Sequence, residues 1–273
     1  MGPQRIVCLT EETTEWLYLL GEQHRIVGIS GYTVRPPRAR QEKPRVSAFL
    51  DGRVDRIVDL QPDLVIGFSD MQAELANKLI RAGLDVLVTN QRSVEEIVAI
   101  MRLVASMVGV SDRAEAWITA CKKSHREMAA TASSWPRRPR VYFEEWDEPM
   151  ISAIRWVSEL ITIAGGDDVF PELAMQKMGR DRVIADPQEP VRRAPDLIVG
   201  SWCGKKFRAD KVAARPGWAQ VPAVLNAALH EIKSCDILQP GPAALTDGVE
   251  QLRRLCHQWA RAPLGRADRS PAP

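Results

Sequence analysis

The chain has 273 residues, of which 45% are hydrophobic and 26% are charged, so it can form one large globular domain or two modest ones. Its formal charge of +2 is near balance, and no basic stripe is interleaved with aromatic residues, so neither nucleic acid nor an anionic membrane surface is expected as a partner. No apolar run is long enough to cross a bilayer, which argues against direct membrane insertion.

The start of the chain and its cysteines bear on the compartment. As written, the sequence enters an apolar run at residue 5 without the basic and long apolar regions of a secretory leader. This predicts a cytoplasmic protein, or a periplasmic one if a signal peptide stands upstream. The five cysteines are widely spaced and form no C-x-x-C or zinc motif, which favours reduced thiols over a disulfide framework.

The first part of the chain alternates between predicted strands and helices. Short apolar runs predict strands at residues 5–9, 25–29, 64–68 and 84–88. Helical periodicity predicts helices at residues 10–21, 54–60, 72–82 and 93–108. Thr10 is expected to cap the first of these helices, and Ser93 with Glu96 forms a capping box for the last. Residues 30–44 are rich in Pro and Arg and are predicted to lack regular structure. The alternation is typical of a parallel sheet covered on both faces by helices.

A longer helix is predicted for residues 112–135, which contain neither Gly nor Pro. At about 1.5 Å per residue it would be roughly 35 Å long, about the width of a small domain. Residues 140–143 then predict a strand, residues 144–149 an acidic and aromatic loop, and the following residues a helix that stops at Gly165. Two indoles and several carboxylates therefore lie where a strand is followed by a helix, which is where open α/β sheets bind ligands.

The second half of the sequence repeats the plan of the first. The strand and helix at residues 5–21 match those at 140–166, and QPDLVIGFSD matches APDLIVGSWC at an offset of about 135 residues, as in a duplicated architecture. We therefore predict two similar α/β lobes joined by one long helix. The expected ranges are a first lobe at 5–110, the helix at 111–136, a second lobe at 137–262 and a disordered tail at 263–273.

This arrangement resembles the cobalamin and ferric-siderophore class of ABC-importer substrate-binding proteins over about residues 5–260. The motifs that look like the cobalamin-binding branch are GYTVRPPRAR with KPRVSAF, LQPDLVIGFSD, EEWDEPMISAIRWVSELITIAGG and ILQPGPAALTDGVEQL. The resemblance implies two similar three-layer α/β lobes on a helical backbone, with cobalamin bound between them. It also implies a protein that binds its ligand without catalysis, needs no catalytic cofactor or metal, and works as a monomer with an ABC transporter permease.

The resemblance also implies particular site residues. The expected ligand-binding residues offer flat aromatic area and one carboxylate, and they are Trp146, Trp156, Trp202, Tyr32, Phe49, Phe68 and Asp147. The acidic residues that would dock on the transporter are Glu74 in the first lobe and Glu189 in the second. In the second lobe the nearest match to the family position is Gln188, and Glu189 lies beside it.

Several of these residues have a second interpretation. Trp146 has charged neighbours, which favours a ligand over the core. Trp156 fits core packing as well as it fits a ligand surface, as does Trp202, and Phe68 fits the core better. The acidic residues 144–148 are adjacent on one segment, which favours a polar lining or helix N-terminal acids over a catalytic pair. Cys121 and His125 share a helix face but have no third metal ligand nearby in sequence.

Besides a structural or sensory module that has lost transport, two other functions remain open. The same fold could bind haem or a ferric siderophore, with Tyr32 as the candidate axial ligand for haem. A cytosolic corrinoid-processing enzyme or chaperone is the alternative from another class, and the expected reduced thiols and the absence of a leader in the sequence as written favour it.

Overall fold

The computed structural model describes residues 2–47 and 53–262. Phe49 and the predicted tail at residues 263–273 lie outside the described residues. The chain divides into two compact units, which we call unit 1 and unit 2. Unit 1 consists of Met1–Ala120 with Gln239–Ala243, and unit 2 consists of Cys121–Leu238 with Ala244–Pro273.

Unit 1 is built on a five-stranded parallel sheet in the order β3-β2-β1-β4-β5. The strands are β1 (Ile6–Cys8), β2 (Ile26–Ser30), β3 (Arg45–Ser47), β4 (Leu64–Phe68) and β5 (Val86–Thr89). The central strand β1 is fully buried, as expected when helices cover both faces of a parallel sheet. The sequence predicted four of these strands, and β3 was missed because its residues Arg-Val-Ser contain a single apolar side chain and so form no apolar run.

The helices of unit 1 follow the strands in alternation. They are α1 (Glu11–Leu19), α2 (Ala39–Glu42), α3 (Val54–Asp59), α4 (Ala73–Arg81) and α5 (Val94–Met107). The capping box of α5 is confirmed, because Ser93 Oγ accepts from Glu96 N and the Glu96 carboxylate accepts from Ser93 N. The predicted cap of α1 is wrong in detail, because the Thr10 hydroxyl donates to the Glu12 carboxylate instead of accepting a helix N–H. The expectation of an irregular segment at residues 30–44 is also incomplete, since α2 forms within it.

The predicted long helix is present as α6 (Ser111–Ser133), and the boundary between the two units falls inside it. In unit 2 the sheet order is β10-β9-β6-β7, with β8 paired to β6. Its strands are β6 (Arg140–Asp147), β7 (Met150–Ser152), β8 (Asp167–Asp168), β9 (Leu197–Gly200) and β10 (Leu229–Glu231). The remaining helices are α7 (Arg155–Ile163), α8 (Pro171–Ala174), α9 (Glu189–Arg193), α10 (Ala209–Ala213), α11 (Pro222–Leu225), α12 (Ser234–Ile237) and α13 (Val249–Arg261), with a π-helix at Ala244–Gly248.

The predicted loop at residues 144–149 is mostly strand. β6 continues to Asp147 and pairs antiparallel with β7, with Trp146 opposite Ile151 and Asp147 opposite Met150. Only Glu148 and Pro149 connect the two strands. The prediction failed because an acidic composition disfavours a strand locally, whereas cross-strand pairing and burial of alternate side chains outweigh that preference.

The predicted two-lobed α/β fold is confirmed. In each unit the first strand pairs in parallel with the strand of the PDL segment, β1 with β4 and β6 with β9. Among the residues that the structure describes, no helix combines the length and apolarity that a bilayer span requires.

Candidate functional site

The carboxyl ends of β6 and β9 bring four side chains of unit 2 together. β6 ends in Trp146 and Asp147, and Trp202 and Lys205 follow β9. These two strands are the point where the strand order of the sheet reverses, which is the usual ligand position in such sheets. We call Trp146, Asp147, Trp202 and Lys205 the indole cluster.

Lys205 lies at the centre of the indole cluster. Its Nζ is 4.1 Å from the centroid of the Trp146 ring and 5.0 Å from that of Trp202, and it donates to Oδ1 of Asp147. The Trp146 indole N–H donates to the carbonyl oxygen of Glu148 at 2.9 Å, which fixes the ring on the hairpin turn. Trp146 is half-buried and Trp202 is only 4% exposed, so Trp146 offers the larger accessible ring.

Beneath the indole cluster lies a buried carboxylate, Glu144, with no exposed surface. Arg215 donates to both of its oxygens, at 2.5 and 3.0 Å. The Tyr142 hydroxyl donates to it at 2.8 Å, and the indole N–H of Trp202 donates to it at 3.1 Å. The expectation that Glu144 forms a polar lining is therefore wrong, because its carboxylate is turned into the protein and holds Trp202 from below.

The environment of Glu144 shifts the pKa values of its partners. Burial, reinforced by the negative charge of Glu144, raises the pKa of Tyr142 well above its usual value. Burial lowers the pKa of Arg215, but its hydrogen bonds with Glu144 outweigh that effect and the pKa lies above its ordinary value. Arg215 therefore stays charged and Tyr142 stays neutral at physiological pH, and neither group is available as a general acid or base.

A second carboxylate of the hairpin is also committed. Arg182 is 2% exposed and donates to both oxygens of Glu145, at 2.6 and 3.0 Å, and to the carbonyl oxygen of Ser152. With Glu144 and Glu145 each held by an arginine, these acids act as structural ion pairs that stiffen the hairpin. What remains at this edge of the sheet is the half-buried Trp146 ring with one lysine–aspartate pair over it, and a flat aromatic ring of this kind suits binding by stacking.

Two other aromatic candidates are buried, each within its own unit. Trp156 is 2% exposed and donates its indole N–H to the carbonyl oxygen of Ile237 at 2.9 Å, so it packs in the core of unit 2. Phe68 in unit 1 is 7% exposed, and the Arg92 guanidinium lies 5.1 Å from its ring centroid. Both residues therefore fit their core interpretation.

Tyr32 behaves differently from those rings. It follows β2 at the carboxyl edge of the unit 1 sheet and is 55% exposed. Arg35, in the same segment, donates to Glu15 at 2.9 Å and is thus paired with a carboxylate. The exposed phenol is the one aromatic candidate of unit 1, among the described residues, that retains most of its surface for a ligand.

The docking candidates also differ from each other. Glu74 is exposed in the first turn of α4. Glu189, at the start of α9, accepts hydrogen bonds from Arg192 and Arg193, both at 2.8 Å. The hydrogen bonds from Arg193 and Arg192 lower the pKa of Glu189, which keeps it ionised, but its charge is already compensated within the helix.

The Cys121 and His125 pair is a buried structural contact. The Cys121 Sγ lies 3.7 Å from Nε2 of His125, and that nitrogen lies 2.7 Å from the carbonyl oxygen of Leu245 in the π-helix. Burial raises the pKa of Cys121 to about 11 and lowers that of His125. No group of three or more His, Cys, Asp or Glu side chains suited to a metal occurs within residues 2–47 and 53–262.

Sequence reasoning missed two central residues, Lys205 and Arg215. Lys205 carries a weak signal, since it follows Gly204 just after the PDL strand and its indole, but nothing in the sequence shows which side chain it meets. Arg215 lies 71 positions from Glu144, and no local pattern links the two.

Comparison with known proteins places this architecture in a family. The model of the family described as "Periplasmic binding protein" matches residues 6–234. An uncharacterized ABC transporter substrate-binding lipoprotein of Bacillus subtilis, YvrC, is 24% identical over 260 residues, 92% of this chain and 79% of that protein. The vitamin B12-binding protein of Vibrio parahaemolyticus is 24% identical over 259 residues, 90% of this chain and 87% of that protein.

A solved structure supports the same assignment at the level of the fold. The periplasmic heme-binding protein RhuT of Roseiflexus sp. RS-1 in apo form superposes on this chain with a TM-score of 0.77 at 22% identity. The superposition covers 93% of this chain and 100% of the RhuT chain. The matched family model spans most of the sequence, and both units have the expected α/β topology. The chain therefore belongs to the periplasmic binding protein family, whose members are substrate-binding proteins.

Proposed function

We propose that this chain binds a corrinoid such as cobalamin, without transforming it, as the substrate-binding component of an ABC-type uptake system. The observation that carries the proposal is the half-buried Trp146 ring at the carboxyl end of β6, at the strand-order reversal of unit 2. Cobalamin is a wide, rigid ring with apolar edges and an amide rim, so flat indole area with a few polar groups suits it. Relatives named vitamin B12-binding proteins support this choice of ligand.

Titration with cyanocobalamin tests the proposal, using the W146A variant against the W259A variant. Trp259 is a matched control because it is also half-buried in unit 2 and also carries a cation on its ring, the Arg137 guanidinium at 4.2 Å. Arg137 precedes β6, so Trp259 lies toward the opposite edge of the sheet. We expect W146A to weaken binding at least about tenfold, as for a central aromatic contact, and W259A to leave it unchanged.

Either of two results would contradict the proposal. One is the absence of saturable binding of cyanocobalamin to the wild-type protein. The other is binding that W146A and W259A alter equally, because the site would then lie away from the indole cluster.

Haem is the second candidate ligand, and the 55% exposed phenol of Tyr32 favours it. A phenolate is one of the axial ligands that haem proteins use, and a heme-binding structure shares the fold. Titration with hemin, followed by absorbance in the Soret region, distinguishes the two ligands. If haem is the ligand, Y32F shifts or abolishes the Soret change, whereas a corrinoid-binding protein shows no saturable change with hemin.

A ferric siderophore receives less support. An anionic chelate would be bound by arginines, and Arg35 is already paired with Glu15.

The proposal excludes turnover of the ligand, which separates it from a corrinoid-processing enzyme. Cys203 is an exposed thiol just after Trp202, and it is the residue that such chemistry would use. Incubating the protein with methylcobalamin and glutathione, and then analysing the corrinoid by chromatography, tests this exclusion. We expect unchanged methylcobalamin, and a C203S-sensitive loss of the methyl group would instead establish an enzyme.

The proposed partner is an ABC transporter permease, and docking through Glu74 and Glu189 remains a prediction. Because Glu189 is already paired with Arg192 and Arg193, we expect E74A to reduce ligand-stimulated ATP hydrolysis by the reconstituted transporter more than E189A does.

The uptake role further implies a monomer that works outside the cytoplasmic membrane. Light scattering after size-exclusion chromatography and mapping of the translation start test these two points.

A further inference from the structure

Lys205 occupies the position that a stacked ligand would take on the indole cluster. Its ammonium lies 4.1 Å from the Trp146 centroid, which is the distance of a direct cation–π contact with the ring face. A planar ring system stacked on the same face would lie at about the same separation, since carbon atoms in contact are roughly 3.5–4.0 Å apart. The ammonium and such a ligand cannot share the face.

Three weak interactions hold Lys205 there. The faces of Trp146 and Trp202 attract the ammonium, and Asp147 accepts its hydrogen bond. The lysine side chain is 39% exposed and that of Asp147 is 18% exposed, so water screens the ion pair. The contact can therefore be given up at modest cost.

The contrast with Arg215 marks Lys205 as the movable cation of this edge. Arg215 donates two hydrogen bonds to a carboxylate with no exposed surface, and its release would leave that charge unpaired inside the protein. Lys205 instead lies in the exposed turn after β9, where Gly204 has a φ of +78° that suits glycine. Arg215 acts on the Trp202 ring through Glu144, whereas Lys205 lies over the Trp146 ring.

We propose that Lys205 is an intramolecular competitor for the ligand: it covers the accessible face of Trp146 in the ligand-free protein and must leave before a flat ligand can stack there. This inference rests on the proposed function for the identity of the ligand, but not for the covering of Trp146 itself. A ligand ring is retained only if it stacks on Trp146 more strongly than the Lys205 ammonium does. Lys205 thereby excludes ligands whose rings stack weakly.

The first test needs no ligand. Hydroxyl-radical footprinting read by mass spectrometry reports how accessible the Trp146 ring is in the free protein. We expect K205M to increase oxidation of Trp146, because methionine removes the ammonium. Lys206 provides the matched control, since it lies in the same exposed turn, and K206M is expected to leave the oxidation of Trp146 at the wild-type level. Equal oxidation in wild type and K205M overturns the proposal.

The second test adds cyanocobalamin. We expect K205M to lower the dissociation constant about three- to tenfold, which corresponds to the loss of one partly exposed cation–π contact that the ligand otherwise has to replace. D147N, which weakens the tether of Lys205, should shift the constant in the same direction, and K206M should leave it unchanged. Weaker or unchanged binding by K205M overturns the competition. If the wild-type protein binds no cyanocobalamin, the proposed ligand is wrong, and the footprint alone then decides whether Lys205 covers Trp146.

Discussion

Glu144 shows how one residue can determine the shape of a surface that it never reaches. Its side chain has no exposed area, yet it joins Tyr142 and Trp202 to Arg215 through four hydrogen bonds. A buried ion pair of this kind adds little net stability relative to apolar packing, but removing one member leaves the other unpaired. Its value to the protein lies in fixing the orientation of the Trp202 ring.

The E144Q variant tests this role. The amide keeps the size of the side chain but leaves the Arg215 guanidinium without a counter-charge, so we expect the free energy of unfolding to fall by about 2–4 kcal/mol. Urea denaturation gives this value, and near-ultraviolet circular dichroism should report a changed indole environment. E148Q, at the exposed turn of the same hairpin, should remain within about 0.5 kcal/mol of the wild-type protein. Equal effects of the two substitutions would contradict a special role for Glu144.

At the scale of elements, the strand β9 packs against the turn that follows it. The Phe207 ring lies against the backbone of Gly200, where an added Cβ would come within 1.9 Å of the ring, and it contacts Trp202 edge-on at 5.0 Å between centroids. The absence of a side chain at Gly200 therefore lets the turn fold back onto its own strand, which places Trp202 and Lys205 beside Trp146.

We expect G200A to destabilise the protein by about 1–3 kcal/mol, because the methyl group displaces the Phe207 ring. Thermal or urea unfolding measures the effect, and ligand affinity should fall in parallel because the turn carries Trp202. The double variant G200A/F207A tests the cause, since removing the ring removes the clash. Its cost should be clearly less than the sum of the two single costs, and strict additivity would contradict the mechanism.

The first turn of α1 carries carboxyl groups that make stability depend on pH. Burial, with smaller contributions from neighbouring glutamates, raises the pKa of Glu11 and of Glu12 to about 7 from an ordinary value of 4.5. Between these values the unfolded chain has lost the protons that the folded protein keeps. The contribution of these carboxyl groups to the free energy of unfolding is thus fully present below about pH 4.5, and it is lost as the pH rises through about 7.

The E12Q variant isolates this effect, since glutamine cannot ionise and can still accept the hydrogen bond from Thr10. We expect E12Q to be more stable than the wild-type protein by about 1–3 kcal/mol at pH 8, with the difference shrinking toward zero below pH 5. Urea unfolding across this range measures it. E95Q, at an exposed position of α5, should leave the pH profile unchanged, and an E12Q profile parallel to that of the wild type would contradict the assignment.

At the scale of the whole molecule, the two units repeat one structural detail. In unit 1 the Asp63 carboxylate accepts from the backbone N–H of Arg5 at 2.9 Å, just before β1. In unit 2 the Asp196 carboxylate accepts from the N–H of Arg140 at 2.8 Å, at the start of β6. The aspartate of each PDL segment thus ties the entry of the first strand to the neighbouring strand, so the duplication extends to individual hydrogen bonds.

We expect D63A and D196A each to loosen only its own unit, by about 1 kcal/mol, which is typical of a single lost hydrogen bond. Hydrogen exchange resolved by mass spectrometry should show faster exchange in β1 for D63A and in β6 for D196A. D59A, at an exposed position of α3, serves as the control and should leave both strands unchanged. Faster exchange in both units from either single substitution would contradict the local role.

The sequence predicted what depends on local patterns and missed what depends on distant partners. The strand β4 and the capping box at Ser93 were predicted because periodicity and caps are encoded within a few residues. The continuation of β6 to Asp147 was not, since it depends on pairing with β7. The partial exposure of Trp146 could be inferred from its charged neighbours. The ammonium of Lys205 on its ring could not, because that contact joins β6 to the turn after β9, 59 positions further along the chain.

The short segment Gln239–Ala243 leaves unit 2 and contributes to unit 1 before the chain returns to unit 2. There the backbone N–H of Ala243 donates to Glu15, the carbonyl oxygen of Pro240 accepts from Gln91, and Gly241 lies against Glu12. A fragment that stops near residue 120 would therefore lack part of its own interior. A chimera that exchanges unit 1 between relatives therefore has to exchange Gln239–Ala243 together with the first 120 residues. For the same reason, a ligand sensor built from this chain is better made by inserting a reporter domain than by splitting the chain into two fragments.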